Sequence, residues 1–400
     1  MRVLLTTRGS AGHLGPLAPF AHACLAAGHD VLVAAQGRHR ANVERAGLPF
    51  APLGDLRDED WMPLLADYAQ LIFEDSNARM VGAFFGRLDT AATLPSLRRL
   101  AADWRPGVIV RESWEYASVL VAEAEGIPIA RVGLGLAAVE ERSIGWVAPA
   151  LDAARAELGL PADPAGDRLR GIPYLTTLPA ELEDPAFGLP PVVHRFRYGA
   201  PAPPAPLPDP WPGTGGPLVY LTFGSVTAGD HLPFYPALYR AAIDALGPLP
   251  VRLLVTIGEP RDPGELGPLP ANVRVEHWVA QETVLPHAAA MVCHGGHGST
   301  LGGLAHGVPL LVLPLFSVDQ FVNAAAVARA GAGLAIDDEA SRAGPLELPD
   351  AAALGRLAPA VERVLGDARY RQRARGIADA MRVLPPVDAA VEVLAAIAAD

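Results

Sequence analysis

The chain has 400 residues, 50% of them hydrophobic and only 19% charged, which is ample for sizeable buried cores and excludes wholesale disorder. It contains no lysine, so all 32 basic residues are arginine; a Schiff-base lysine, a Walker-type phosphate lysine and a lysine general base are excluded. The net charge of −12 argues against the basic footprint that nucleic-acid binding requires.

The chain opens on a β-rich run at 3–7, too short for the apolar core of a signal peptide. Glycines follow, in Gly9-Ser10-Ala11-Gly12-His13-Leu14-Gly15-Pro16, and then a helical pattern over 17–27. Further strands are expected at 31–35, 108–110 and 129–132. Residues 199–217 read GAPAPPAPLPDPWPGTGGP, a proline density that forbids helix and ladder pairing and favours an extended connector. After it the opening pattern returns: a strand at 218–222, then Phe223-Gly224-Ser225. Strands are expected again at 252–256, 273–277, 291–293 and 310–313, and a helical pattern at 387–400 follows Pro385-Pro386.

Strands alternating with Ala-rich helical stretches predict parallel βαβ units with both sheet faces covered. The expected fold class is α/β, with two Rossmann-like domains facing each other across a cleft. Their bounds are 1–199 and 218–383, joined by the 200–217 linker, with 384–400 crossing back onto the first domain. No run of about 18 apolar residues occurs, so no membrane span is expected. Cys24 and Cys293 stand apart in apolar stretches and read as packing thiols of a reduced, cytoplasmic protein.

The glycine-rich turn at Gly9 has the spacing G-x-x-G-x-x-G, not the G-x-G-x-x-G of a dinucleotide site, and it presents a histidine. A neutral imidazole there, at the positive end of a helix, can accept a proton. Such a base wants a carboxylate to orient it. Glu112, at the end of the 108–110 strand, is the first choice and Glu115 the reserve, although helix-terminal charge is the ordinary reading of either. In the second half, Trp278-Val279-Ala280-Gln281 follows one strand, and Cys293-His294-Gly295-Gly296-His297-Gly298-Ser299-Thr300 follows another and opens a helix. That second turn reads as an anion cradle, with His294 and Ser299 adding side-chain donors. Trp278 offers a face for a planar base, and Asp319 and Gln320 suit sugar hydroxyls. Singly, these are a core tryptophan, a packed histidine and a helix cap; their order and spacing together are not ordinary.

With these motifs in place, the sequence resembles the family 1 glycosyltransferases of the GT-B fold, in the bacterial, antibiotic-type branch that moves nucleotide-activated sugars onto natural products. The stretch from Trp278 to Gln320 is similar to the family's donor signature, and G-x-x-G-H-x-x-P at His13 matches its catalytic histidine. The resemblance implies an inverting, metal-independent transfer with no cofactor beyond the nucleotide-sugar co-substrate. His13 would deprotonate an acceptor hydroxyl, assisted by Glu112 where many relatives have aspartate. His294, the amides around Gly296 and Gly298, Ser299 and Ser225 would hold the diphosphate. Trp278 would stack on the base beside the Val279 backbone and Gln281, and Asp319 and Gln320 would bind the sugar. Many UDP-sugar enzymes carry a ribose-binding glutamate where this chain has Gly302, which points to a dTDP-deoxysugar. His297, often small in relatives, reads as a bystander.

Asp58-Glu59-Asp60 spells the D-x-D of metal-dependent transferases but lies in a charged stretch and reads as a solvated loop. His294 and His297 lack an evident third metal ligand. Aromatic residues available to an acceptor pocket are Trp61, Tyr68, Phe73, Phe84, Phe85, Trp114, Tyr116 and Trp146, some of them core; Trp61, Phe84, Trp114 and Trp146 are the acceptor candidates. A hydrophobic polyketide or aromatic aglycone fits such a lining. A lipid-acceptor transferase at a membrane face and a non-catalytic homologue activating a partner are the competing functions. A homodimer or an auxiliary protein is compatible with either.

Overall fold

The computed structural model describes residues 1–66, 68–199, 215–224, 226–228, 232, 234–258, 261–337 and 347–399. Two parallel sheets organise it. The first contains β1 (Arg2–Thr6), β2 (Asp30–Gln36), β3 (Phe50–Leu53), β4 (Val108–Glu112), β5 (Ile129–Val132), β6 (Tyr174–Thr176) and β7 (Val193–Arg195), in the order β3-β2-β1-β4-β5-β6-β7. The second contains β8 (Leu218–Thr222), β9 (Arg252–Thr256), β10 (Val273–Glu276), β11 (Ala288–Cys293), β12 (Leu310–Val312) and β13 (Gly333–Ala335), in the order β10-β9-β8-β11-β12-β13. Every residue of β4 and β8 is buried, as in central strands covered on both faces, including Arg111 and Glu112 at the end of β4.

Strand order reverses between β1 and β4 in one sheet and between β8 and β11 in the other. In parallel α/β sheets a crevice opens at the carboxyl ends of the strands at such a point. Gly9 and then His13 follow β1, Glu112 ends β4, and Gly224 and His294 follow β8 and β11, so both crevices coincide with the motifs. Apolar contact joins the two halves: Phe73 and Val139 of the first pack with Val318 and Phe321 of the second. Near the end of the chain, helix Ala390–Ile397 buries Ala390 and Leu394 in the core of the first sheet, against residues of the first helix.

Several elements differ from the expectation. Helix α1 runs Ala11–Ala26, so it starts at Ala11 rather than at residue 17 and His13 sits in its first turn. Pro16 and Pro19 lie inside it, which pattern reading takes as a barrier. The carbonyls of Gly12 and Gly15, four residues before them, therefore lack the usual intrahelical N–H donor. Strand β4 extends through Glu112, so the carboxylate is the strand's last residue rather than the first beyond it. Asp58, Glu59 and Asp60 form the acidic first turn of helix Asp58–Leu65, not a loop, with Glu59 and Asp60 paired to Arg57. Residues 200–214 of the expected linker and Ser225 of the expected diphosphate site lie outside the described residues.

Candidate functional site

On the first side of the cleft, His13 Nδ1 and Glu112 Oε1 are 2.9 Å apart, with side-chain exposures of 12% and 0%. The carboxylate also accepts the Arg8 N–H at 3.3 Å on Oε1 and the Trp114 N–H at 2.6 Å on Oε2. Burial alone would raise this carboxyl. The charge and hydrogen bond of His13, the Trp114 N–H and Arg111 outweigh it and hold Glu112 below its ordinary value. A carboxylate on Nδ1 fixes the tautomer, with Nδ1–H donating to it, and leaves Nε2 as the acceptor for a proton.

Their hydrogen-bond partners distinguish the two glutamates: Glu112, the last residue of β4, meets His13, and Glu115, beyond the strand, does not. Glu115 lies buried away from His13, accepting the Ser118 N–H at 3.2 Å, and burial pushes its carboxyl up. Arg111, fully buried, donates from Nε to the Glu115 carbonyl at 2.6 Å.

An aromatic array leads away from His13. Its ring meets Trp114 at 5.4 Å and Phe85 at 6.0 Å; Phe85 meets Phe84 at 5.5 Å, and Phe84 meets Trp61 at 5.7 Å. Trp61, Phe84, Trp114 and Trp146 are each partly exposed, whereas Phe73, Phe85 and Tyr116 are buried. Trp146 is set further round, its indole N–H donating to Glu74 at 2.8 Å.

Sequence reading missed the support of this array. The Arg8 guanidinium lies 3.7 Å from the centre of the Phe85 ring and pairs with Asp89, whose other oxygen accepts from Gln36 at 3.0 Å. Arg8 directly precedes Gly9, and that adjacency to the motif was the available signal.

Across the cleft, β11 ends at Cys293 and helix His297–Ala305 begins with Gly296 as its N-cap. The first-turn N–H groups of His297, Gly298 and Ser299 have no intrahelical acceptor and point along the positive end of the dipole. The His294 ring is wedged between two glycines: a Cβ at Gly224 would stand 2.6 Å from its Cε1, and one at Gly296 2.4 Å from its Nε2. Burial lowers His294 to about 4, so the imidazole is neutral at pH 7, and its buried Nδ1 has no protein partner. His297, the expected bystander, bridges the halves: its Nδ1 donates to the Leu134 carbonyl at 3.0 Å, and burial lowers it to about 4.

Trp278 is 72% exposed, a free indole face beside the cradle, while Val279 packs on the second core. Gln281 Oε1 lies 2.6 Å from where a Cβ at Gly302 would stand, so the amide occupies the space a side chain there would enter. Asp319 is raised by burial, against the opposing pull of the Ser317 hydroxyl, of nearby backbone N–H groups and of His13. Gln320 uses its Oε1 to accept the Leu315 and Phe316 N–H groups at 2.8 and 3.1 Å, which leaves its NH2 group to reach a ligand. Gly295 (φ +89°) packs against the Gln320 backbone, and Asn323 donates to its carbonyl at 2.8 Å, so cradle and helix Val318–Arg329 are tied together. Among the described residues, no three His, Cys, Asp or Glu side chains converge as metal ligands, and no helix is long and apolar enough to cross a membrane.

Residues 22–170 and 240–397 match the N-terminal and C-terminal domains of the family described as erythromycin biosynthesis protein CIII-like. The chain is 33% identical over 401 residues to the L-demethylnoviosyl transferase of Streptomyces niveus, covering 97% of this chain and 96% of that one. It is 30% identical over 376 residues to the 4'-demethylrebeccamycin synthase of Lentzea aerocolonigenes, covering 83% and 87%. Among solved structures, it superposes with a TM-score of 0.72 and 25% identity on the Streptomyces sp. SF2575 glycosyltransferase SsfS6 complexed with thymidine diphosphate, covering 98% and 99% of the two chains. The two-sheet architecture is the one those structures share.

Proposed function

Because the chain belongs to the erythromycin biosynthesis protein CIII-like family of bacterial natural-product glycosyltransferases, we propose that it moves a deoxysugar from dTDP to a hydroxyl of a hydrophobic aglycone, with inversion and without a metal. The observation that carries this reading is the buried His13–Glu112 pair, 2.9 Å apart, facing a helix N-terminus equipped to hold an anion.

In the proposed step, His13 Nε2 takes the acceptor's hydroxyl proton while the oxygen attacks the anomeric carbon. The bond from that carbon to the β-phosphate oxygen breaks, and its electron pair leaves with dTDP. Glu112 stabilises the imidazolium as it forms. The first-turn amides, Ser299 and neutral His294 receive the diphosphate, Ser225 joining them, and these fixed dipoles act where charge develops. Trp278 covers the base with Val279 and Gln281 beside it. Asp319 and the Gln320 NH2 group orient the sugar, and Trp114, Phe84, Trp61 and Trp146 line the acceptor side.

The first domain, 1–199, would thus bind acceptor and the second, 218–383, donor, with 200–217 as linker and 384–400 as return segment, in the cytoplasm. A dTDP donor is supported by the thymidine diphosphate in SsfS6 and by Gly302, which supplies no ribose-binding carboxylate and faces the Gln281 amide. Titration with dTDP and UDP tests the donor; mass spectrometry of dTDP-sugar reactions with an aromatic polyketide panel tests transfer. Tighter binding of UDP, or no glycosylated product from any acceptor, would overturn the reading.

A further inference from the structure

Helix Val318–Arg329 carries Asp319 and Gln320, yet its N-cap residue, Ser317, makes no side-chain cap; the Ser317 hydroxyl goes to Asp319 instead. The first helical N–H, that of Val318, is accepted by Asn77 Oδ1 at 2.9 Å, from helix Phe73–Ala78 of the other domain. Asn77 Nδ2 donates to the Phe73 carbonyl at 2.9 Å and faces the Phe316 carbonyl at 3.4 Å, so both halves of the amide are engaged and the residue is 4% exposed. Around it, Phe73 meets Phe321 edge-on at 4.7 Å, and Trp114 and Trp146 pack on the same Phe73–Val139–Val318–Phe321 cluster.

We infer that Asn77 is a positioning residue: a cap supplied across the cleft that fixes the sugar-contacting turn at Asp319 and Gln320 relative to the aromatic acceptor wall. This rests on the donor reading above. A buried N–H left without its acceptor is costly, and Asn77 satisfies this one only when the domains are closed on each other. Closure and sugar placement are therefore one event. The nucleotide contacts at Trp278, His294 and the helix at His297 do not involve Asn77, so its loss separates sugar from nucleotide.

The experiment compares calorimetric binding of dTDP and dTDP-glucose by the whole protein and its variants. For Asn77→Ala, affinity for dTDP-glucose falls about tenfold while dTDP stays within about twofold. Asn77→Asp, which keeps the acceptor for the Val318 N–H, recovers most of the loss. Hydrogen exchange of the Val318 amide quickens in Asn77→Ala and not in Asn77→Asp. Two results overturn the inference: affinities for dTDP and dTDP-glucose that fall together or not at all, and Val318 exchange unchanged in Asn77→Ala. Asp319→Asn separates the two readings. If it too leaves both affinities in step, the donor reading fails; if it discriminates and Asn77→Ala does not, only the cap fails.

Discussion

His13 and His294 each stand beside a switch point, on the loop or first turn that follows a central strand, but their surroundings differ in kind. His13 has a fully buried carboxylate on Nδ1, held low by the charge and hydrogen bond of His13 itself, by the Trp114 N–H and by Arg111. Among the described residues no carboxylate pairs with His294; it is pressed between Gly224 and Gly296, and burial lowers it to about 4. The proposed function gives the first ring the proton and keeps the second a neutral dipole, so the partner rather than the residue type would set the role.

Removing the proton acceptor makes the largest difference between the sites. His13→Ala is expected to lower the turnover of sugar transfer about a thousandfold, read by product formation at saturating donor. Glu112→Gln keeps an acceptor for Nδ1–H but removes the charge, for a loss of about a hundredfold, whereas Glu115→Gln stays within a few-fold. Equal losses in the two glutamate variants would erase the distinction between them.

On the other side, Gly296→Ala drives a Cβ into the His294 ring, and dTDP affinity is expected to fall about tenfold with little change in the stability of the first domain. Titrating dTDP into the variant checks it.

A further difference concerns pH. His294 and His297 have values of about 4 in the folded protein against 6.5 for an ordinary histidine. Between these values the unfolded chain binds more protons, so stability is full above about pH 6.5 and falls toward pH 4, by up to about 1.4 kcal/mol per pH unit for each ring. Glu112, held low, adds to the loss in acid. Urea unfolding at pH 7 and pH 5 measures it, and His297→Asn should flatten the slope.

Much of this was legible in the sequence. Strands such as 129–132 and 252–256 coincide with β5 and β9, because short runs carrying β-branched residues between breakers favour strand. The glycine-rich turn that opens helix His297–Ala305 was legible because its residues are local. The short strands β3, β6, β7 and β13 were not, since three or four residues carry no periodicity and are selected by the neighbour they pair with. Helix α1 was read short because Pro16 and Pro19 are ordinarily helix breakers. The Arg8–Asp89–Gln36 group was not legible, because it joins positions far apart in the chain.

The division of labour between the two histidines is tested most directly by titrating dTDP into His13→Ala and His294→Ala side by side. The expected result is an affinity within about twofold of wild type for His13→Ala and at least tenfold weaker for His294→Ala. Equal weakening in both variants, or the reverse order, would contradict it.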